Sequence, residues 1–256
     1  MNKISTIISN AKLYVVVFGV LLVSGMACTC ALCTPEGSSP STRQAATFPV
    51  VGLKYYKVQP AYDKAIKQFE TAATTQPVKI GGTVFIGSSS FTRWKTLEKD
   101  MAKFNAVNRG FGGSKTDDLL YYAQRILKPL APTRIVYYCG GNDVDKKRTV
   151  DIVVGNIRLF TDMVRSEFPG LKIYYISTNY TPKRIKITDE IRQVNQAIEQ
   201  WAKTQPDVFY IYAMDGLIDA QGKANPKLFM PDGVHLNPDG NKIWMANIAK
   251  GMDSNW

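Results

Sequence analysis

The sequence predicts an α/β fold, with a parallel sheet of five strands wound between two layers of helices. Three observations carry this expectation. From about residue 83 to residue 250, short runs rich in Val, Ile, Phe and Tyr alternate with longer stretches of helical apolar spacing. Such alternation means βαβ crossovers and a sheet covered on both faces. Each of the first three runs ends in a small, polar, glycine-bearing loop, at the place where doubly wound sheets bind ligands. The 256 residues are 45% hydrophobic and 11% aromatic, enough apolar material for one sizeable core and one full domain.

Residues 1–33 are predicted to be an export signal or a membrane or lipid anchor. Lys3 and Lys12 precede an uncharged apolar run from Leu13 to Leu32, about long enough to span a bilayer. Three fates fit it: cleavage after Gly25-Met26-Ala27, lipidation at Cys28, or retention as an uncleaved anchor. A lipoprotein signal normally carries Leu three residues before its cysteine, where this chain has Gly25. The expected location is the cell envelope, periplasmic or membrane-anchored. Cys28, Cys30 and Cys33 lack the nearby histidine or second cysteine pair that would complete a four-ligand metal knuckle, and read as signal-region thiols. Cys139 is then left alone in the globular part, so no disulfide framework is expected. Residues 34–49, TPEGSSPSTRQAATFP, are rich in Ser, Thr and Pro without apolar periodicity and read as a linker. The domain is expected to run from residue 50 to 256.

Its first element is a helix in QPAYDKAIKQFETAATTQP, with Pro60 in the first turn and Ile66, Phe69 and Ala73 on one face. The strands follow as TVFIG (83–87), NAVNRG (105–110), RIVYYCG (134–140), KIYYIS (172–177) and VFYIY (208–212). Helices are expected near 94–103, 116–128, 149–168, 185–203 and 238–250. The last has the clearest start, with Asn237 as cap and Pro238 in the first turn.

The loops that interest a chemist are GSSSF (87–91), NRGFGGS (108–114) and GGND (140–143). In a flavodoxin-like strand order 2-1-3-4-5 the three strands are neighbours, and Ser89, Gly113 and Asn142 converge in one crevice. A fourth stretch, PDGVHLNPDG (231–240), holds His235, the single histidine of the chain, three residues after Asp232. Taken alone, each stretch reads as an ordinary turn, and a lone histidine is more often packed or on the surface than catalytic. Their order along the chain argues against accident. GFGGS lacks the third glycine of a dinucleotide fingerprint, and one histidine with a carboxylate does not fill a zinc site, so neither cofactor nor metal is expected. The net charge of +11 is scattered among acids rather than gathered into a run, which argues against nucleic acid as partner. It suits acidic surroundings such as anionic lipid or envelope polymers.

With these blocks in place, the chain resembles the SGNH hydrolase superfamily, which includes GDSL-type esterases and lipases. The resemblance covers about residues 83–245. FIGSSSF matches its first block, NRGFGGS the second, CGGND the third and DGVHLNPDG the fourth. It implies the flavodoxin-like three-layer α/β/α fold of that superfamily, with Ser89 as nucleophile and Asp232 and His235 as acid and base of a triad. It also implies an oxyanion hole made by the Ser89 N–H, the Gly113 N–H and the Asn142 amide. Ser88 departs from the pattern, standing where the family carries aspartate, and Ser88 and Ser90 remain rival nucleophiles. An α/β-hydrolase is excluded by Phe91, which stands where the second glycine of its GxSxG elbow must be. Asp143, Arg109 and Trp94 receive no role.

These residue types suit acyl transfer. A serine hydroxyl needs a base to accept its proton, the base needs its other ring nitrogen held, and the tetrahedral oxyanion needs donors aimed at it. The expected activity is that of an exported serine esterase without cofactor. The lack of a long apolar lid between the blocks favours short acyl groups, such as carbohydrate O-acetyl esters. The alternatives are a lysophospholipase or thioesterase of the same fold, and a non-catalytic glycan-binding envelope protein.

Overall fold

Five parallel strands, β1 (Thr83–Gly87), β2 (Ala106–Gly110), β3 (Arg134–Tyr138), β4 (Lys172–Ile176) and β5 (Val208–Ile211), lie in the order β2-β1-β3-β4-β5. This is the flavodoxin-like order that the family resemblance implies. The computed structural model describes residues 59–75 and 79–256, and these described residues belong to one compact unit. The expected leader and linker, with Cys28, Cys30 and Cys33, lie outside the described residues. Among the described residues no helix is long and apolar enough to cross a membrane.

The sheet divides its side chains between two cores because successive residues of a strand point to opposite faces. Val84, Ile86, Ile135, Tyr137, Ile173 and Tyr175 face one core. That core is closed by α1 (Pro60–Thr75), α4 (Thr116–Leu127), α6 (Val150–Glu167) and α7 (Thr188–Ala202). Phe85, Val136, Tyr138, Tyr174 and Ile176 face the other, which is closed by α2 (Ser89–Arg93), α3 (Leu97–Asp100) and α8 (Pro238–Asp253). The three inner strands β1, β3 and β4 are buried on both sides, which explains why they read as continuous apolar runs rather than alternating ones.

The N-terminal helix α1 is an addition that docks on α4. Ile66 is fully buried, and Arg125 of α4 binds Glu70 through two bonds of 2.7 and 2.9 Å and Asp63 through one of 2.7 Å. Arg109 packs its guanidinium over the Phe69 ring, 5.1 Å from the centroid, and so belongs to this seam. Trp94 is a core residue whose indole donates to Asp100 at 2.7 Å.

The structure corrects several boundaries. The helix expected near 94–103 is only the turn α3 followed by a 3₁₀ turn at Ala102–Phe104, because Asn105 takes a left-handed conformation with φ 51°. The loop expected after β1 is instead the short helix α2. There the Ser88 carbonyl accepts from Phe91 and Thr92, both at 3.2 Å, and the Phe91 ring sinks among Phe85, Trp94, Tyr138 and Trp244. GGND likewise becomes a short helix, α5 (Gly141–Asp145). The helix expected at 185–203 starts at Thr188, after a 3₁₀ segment at Pro182–Ile187. The helix α8 has its expected cap, the Asn237 side chain accepting from Gly240 N–H at 3.0 Å.

Candidate active site

Parallel register brings the first three loops level. Gly87 at the end of β1 pairs with Gly110 of β2 on one side and Tyr138 of β3 on the other, so the chain leaves all three strands at the same height. Ser89 then opens α2, half-buried, while its neighbour Ser88 is buried. Gly112 lies against it, since a Cβ there would stand 3.9 Å from the Ser89 Cβ. Asn142 reaches the same loop from α5, its Nδ2 donating to the Ser114 carbonyl at 3.0 Å.

The Asp232–His235 turn comes from far along the chain. Asp232 Oδ1 accepts from the N–H groups of Val234 and His235 at 2.9 and 3.0 Å. Gly233 supplies the positive φ of 65° that the turn requires. The His235 carbonyl accepts from Met230 N–H at 2.7 Å. The turn therefore shapes itself largely through its own backbone, and it presents the ring with Nδ1 2.7 Å from Asp232 Oδ2 and Nε2 2.8 Å from Ser89 Oγ. The backbone donors of His235 and Val234, with the imidazole, hold the Asp232 carboxyl well below the usual carboxylate range. An ionised carboxylate can only accept, so the proton of the ring sits on Nδ1, and Nε2 is free to accept from the Ser89 hydroxyl. Arg93 adds a cation 3.9 Å from the same Asp232 oxygen.

The structure thus joins Ser89, His235 and Asp232 in one hydrogen-bonded chain, with Gly112, the neighbour of Gly113, against Ser89 and Asn142 bonded to the same loop. Neither Ser88 nor Ser90 makes a bond to the imidazole. The N–H groups of Ser89 and Gly113 donate to nothing among the described residues. One hydrogen of the Asn142 amide is similarly free, the other being spent on Ser114. Among the described residues no group of three or more His, Cys, Asp or Glu side chains is placed to hold a metal ion.

Asp143, beside Asn142, is fully buried and accepts from the N–H and hydroxyl of Thr116 at 3.1 and 2.7 Å, with Arg148 at 3.5 Å. It ties α5 to the start of α4. Burial pushes its carboxyl up to about 6, against the pull of Thr116 and Arg148. The folded state then holds a proton that the unfolded chain releases, so this group's contribution to stability falls as pH rises from the ordinary carboxylate value to about 6. Asp143→Asn keeps an oxygen for Thr116 and does not titrate. Its stability relative to the parent protein is expected to improve by roughly 1–3 kcal/mol across that window. Denaturant melts of both proteins at several pH values check this, and a difference that does not change with pH would refute it.

Sequence reasoning missed Arg184 and Lys183, from the 3₁₀ segment after β4. Arg184 Nη2 donates to Asn142 Oδ1 at 2.6 Å, and Lys183 N–H donates to the Gly233 carbonyl at 3.0 Å. The only signal in the sequence is their position just beyond the carboxyl end of a strand.

Residues 44–243 match the model of the GDSL-like lipase/acylhydrolase family. No curated protein matches the chain. Solved structures share the fold. A GDSL-like lipase from Bacteroides thetaiotaomicron is 23% identical, with a TM-score of 0.62 over 75% of this chain and 98% of its own. A carbohydrate esterase from Talaromyces cellulolyticus is 17% identical, with a TM-score of 0.57 over 68% and 97%. An acetylxylan esterase from Geobacillus stearothermophilus is 14% identical, with a TM-score of 0.54 over 68% and 96%.

Proposed function

The chain belongs to the GDSL-like lipase/acylhydrolase family, and from that premise we propose that this ester hydrolase is an exported serine esterase for short acyl groups, such as O-acetyl groups on carbohydrate. The observation that carries the mechanism is the hydrogen-bonded chain from Ser89 Oγ to His235 Nε2, at 2.8 Å, and from His235 Nδ1 to Asp232, at 2.7 Å.

In this reading His235 takes the Ser89 proton as Oγ attacks the ester carbonyl, and Asp232 stabilises the imidazolium that forms. The carbonyl oxygen becomes an oxyanion facing the free N–H groups of Ser89 and Gly113 and the free amide hydrogen of Asn142. His235 then returns its proton to the leaving alcohol. Water, activated by the same imidazole, releases the acid from the acyl-serine. No cofactor enters any of these steps.

Short acyl groups are supported by the absence of a long apolar segment between the sequence blocks. The acetylxylan esterase and the carbohydrate esterase of the same fold lend further support. Export is supported by the charged-then-apolar N-terminal segment, which also offers a route to membrane attachment.

The test is a fluorophosphonate probe with p-nitrophenyl acetate and decanoate as substrates. One adduct is expected, on the peptide at Ser89, with acetate turned over faster than decanoate. An adduct at Ser88 or Ser90 moves the nucleophile. Preference for decanoate favours the lysophospholipase or thioesterase reading, and neither turnover nor adduct favours a glycan-binding protein without catalysis.

A further inference from the structure

Asn142 poses a problem that its own loop does not solve. An asparagine amide can turn over, and in the wrong orientation it would point its oxygen at the oxyanion it is meant to stabilise. Two partners decide the matter here. Nδ2 donates to the Ser114 carbonyl at 3.0 Å, and Oδ1 accepts from Arg184 Nη2 at 2.6 Å. A flipped amide would set oxygen against the carbonyl oxygen of Ser114 and NH₂ against a guanidinium, which has no acceptor. Both hydrogen bonds would be replaced by repulsions.

The surroundings admit Arg184 to this place. A Cβ on residue 141 would lie 2.8 Å from Arg184 Nη1, so Gly141 leaves the gap that the guanidinium occupies. Asp145 stands 3.7 Å from Arg184 Nε on the outer edge. The side chain is only 13% exposed, where solvent screens little of its charge. A cation on Oδ1 also draws electron density from the amide and makes the remaining Nδ2 hydrogen a stronger donor.

We infer that Arg184 is a positioning residue of the oxyanion hole, holding the Asn142 amide with Nδ2 toward the reacting carbonyl and polarising it. The inference rests on the esterase reading above. Arg184 acts through Asn142, which its guanidinium contacts directly. The Pro182–Ile187 segment that carries it also braces the acid–base turn through Lys183 N–H, so one piece of chain after β4 sets both halves of the site.

The experiment is a double-mutant cycle in the full-length protein, read as kcat and KM on p-nitrophenyl acetate with the folded fraction of each variant measured alongside. Arg184→Met is expected to lower kcat about 10- to 100-fold, the range for losing a hydrogen bond to a charged group, with KM nearly unchanged. Arg184→Lys keeps the charge and is expected to recover part of the loss. In the Asn142→Ala background, Arg184→Met should cost about 2-fold or less, since the group it positions is gone. The pH profile of kcat/KM should stay in place.

Full losses in both backgrounds, a change confined to KM, or full kcat per folded molecule would each overturn the role of Arg184 while leaving the esterase reading intact. A parent protein with neither turnover nor a fluorophosphonate adduct would remove both.

Discussion

His235→Gln is expected to lower kcat by about 10⁴- to 10⁶-fold, the scale on which triad enzymes respond to loss of their base. The glutamine amide can hydrogen-bond but cannot take up and return a proton. Folding should survive, because the residue's structural bonds run through its backbone. Its N–H donates to Asp232 and its carbonyl accepts from Met230. Melting temperature and esterase rate on one preparation separate the alternatives, since a merely packed histidine would give a less stable protein with full activity per folded molecule. The chain has a single imidazole, so diethyl pyrocarbonate should abolish activity in proportion to one modified group. Asp232, held well below the usual carboxylate range, stays an acceptor for the ring.

Asn142→Ala is expected to lower kcat about 100- to 1000-fold, or roughly 3–4 kcal/mol of transition-state stabilisation, with little change in KM. The reason is timing: the amide hydrogen meets full negative charge only when the carbonyl has become tetrahedral. Alanine also leaves the Ser114 carbonyl and the Arg184 guanidinium without the partners they have at 3.0 and 2.6 Å. The melting temperature should therefore fall modestly, and steady-state kinetics corrected for folded protein isolate the catalytic part. A variant altered chiefly in KM would assign Asn142 to ground-state binding of substrate instead.

The five strands and the α4, α6 and α8 helices were legible because their apolar spacing is local, while the strand order was implied by the family resemblance and not by the βαβ pattern. The blocks at Ser89, Gly113, Asn142 and Asp232–His235 were legible for a related reason, each being a short run with its own turn chemistry. The Asp232–His235 turn is the extreme case, since its carboxylate is held by N–H groups two and three residues on. Helices α2 and α5 look like turns in the sequence because five residues carry too little periodicity to be seen. What settles α2 is the burial of Phe91 among rings from β1, β3 and α8.

The sequence by itself therefore determined the layered α/β class, the loops that bear chemistry and the residue types they offer. Only the tertiary structure decided which serine meets the imidazole, across 146 residues. It alone decided that Asp143 is buried under Thr116, and that Arg184 reaches back 42 residues to hold Asn142. Spacing along a chain encodes which side chains share a face of one element. A contact between elements depends on the packing angle and depth of both, which arise from burying the two faces of the sheet together and leave no local mark in the sequence.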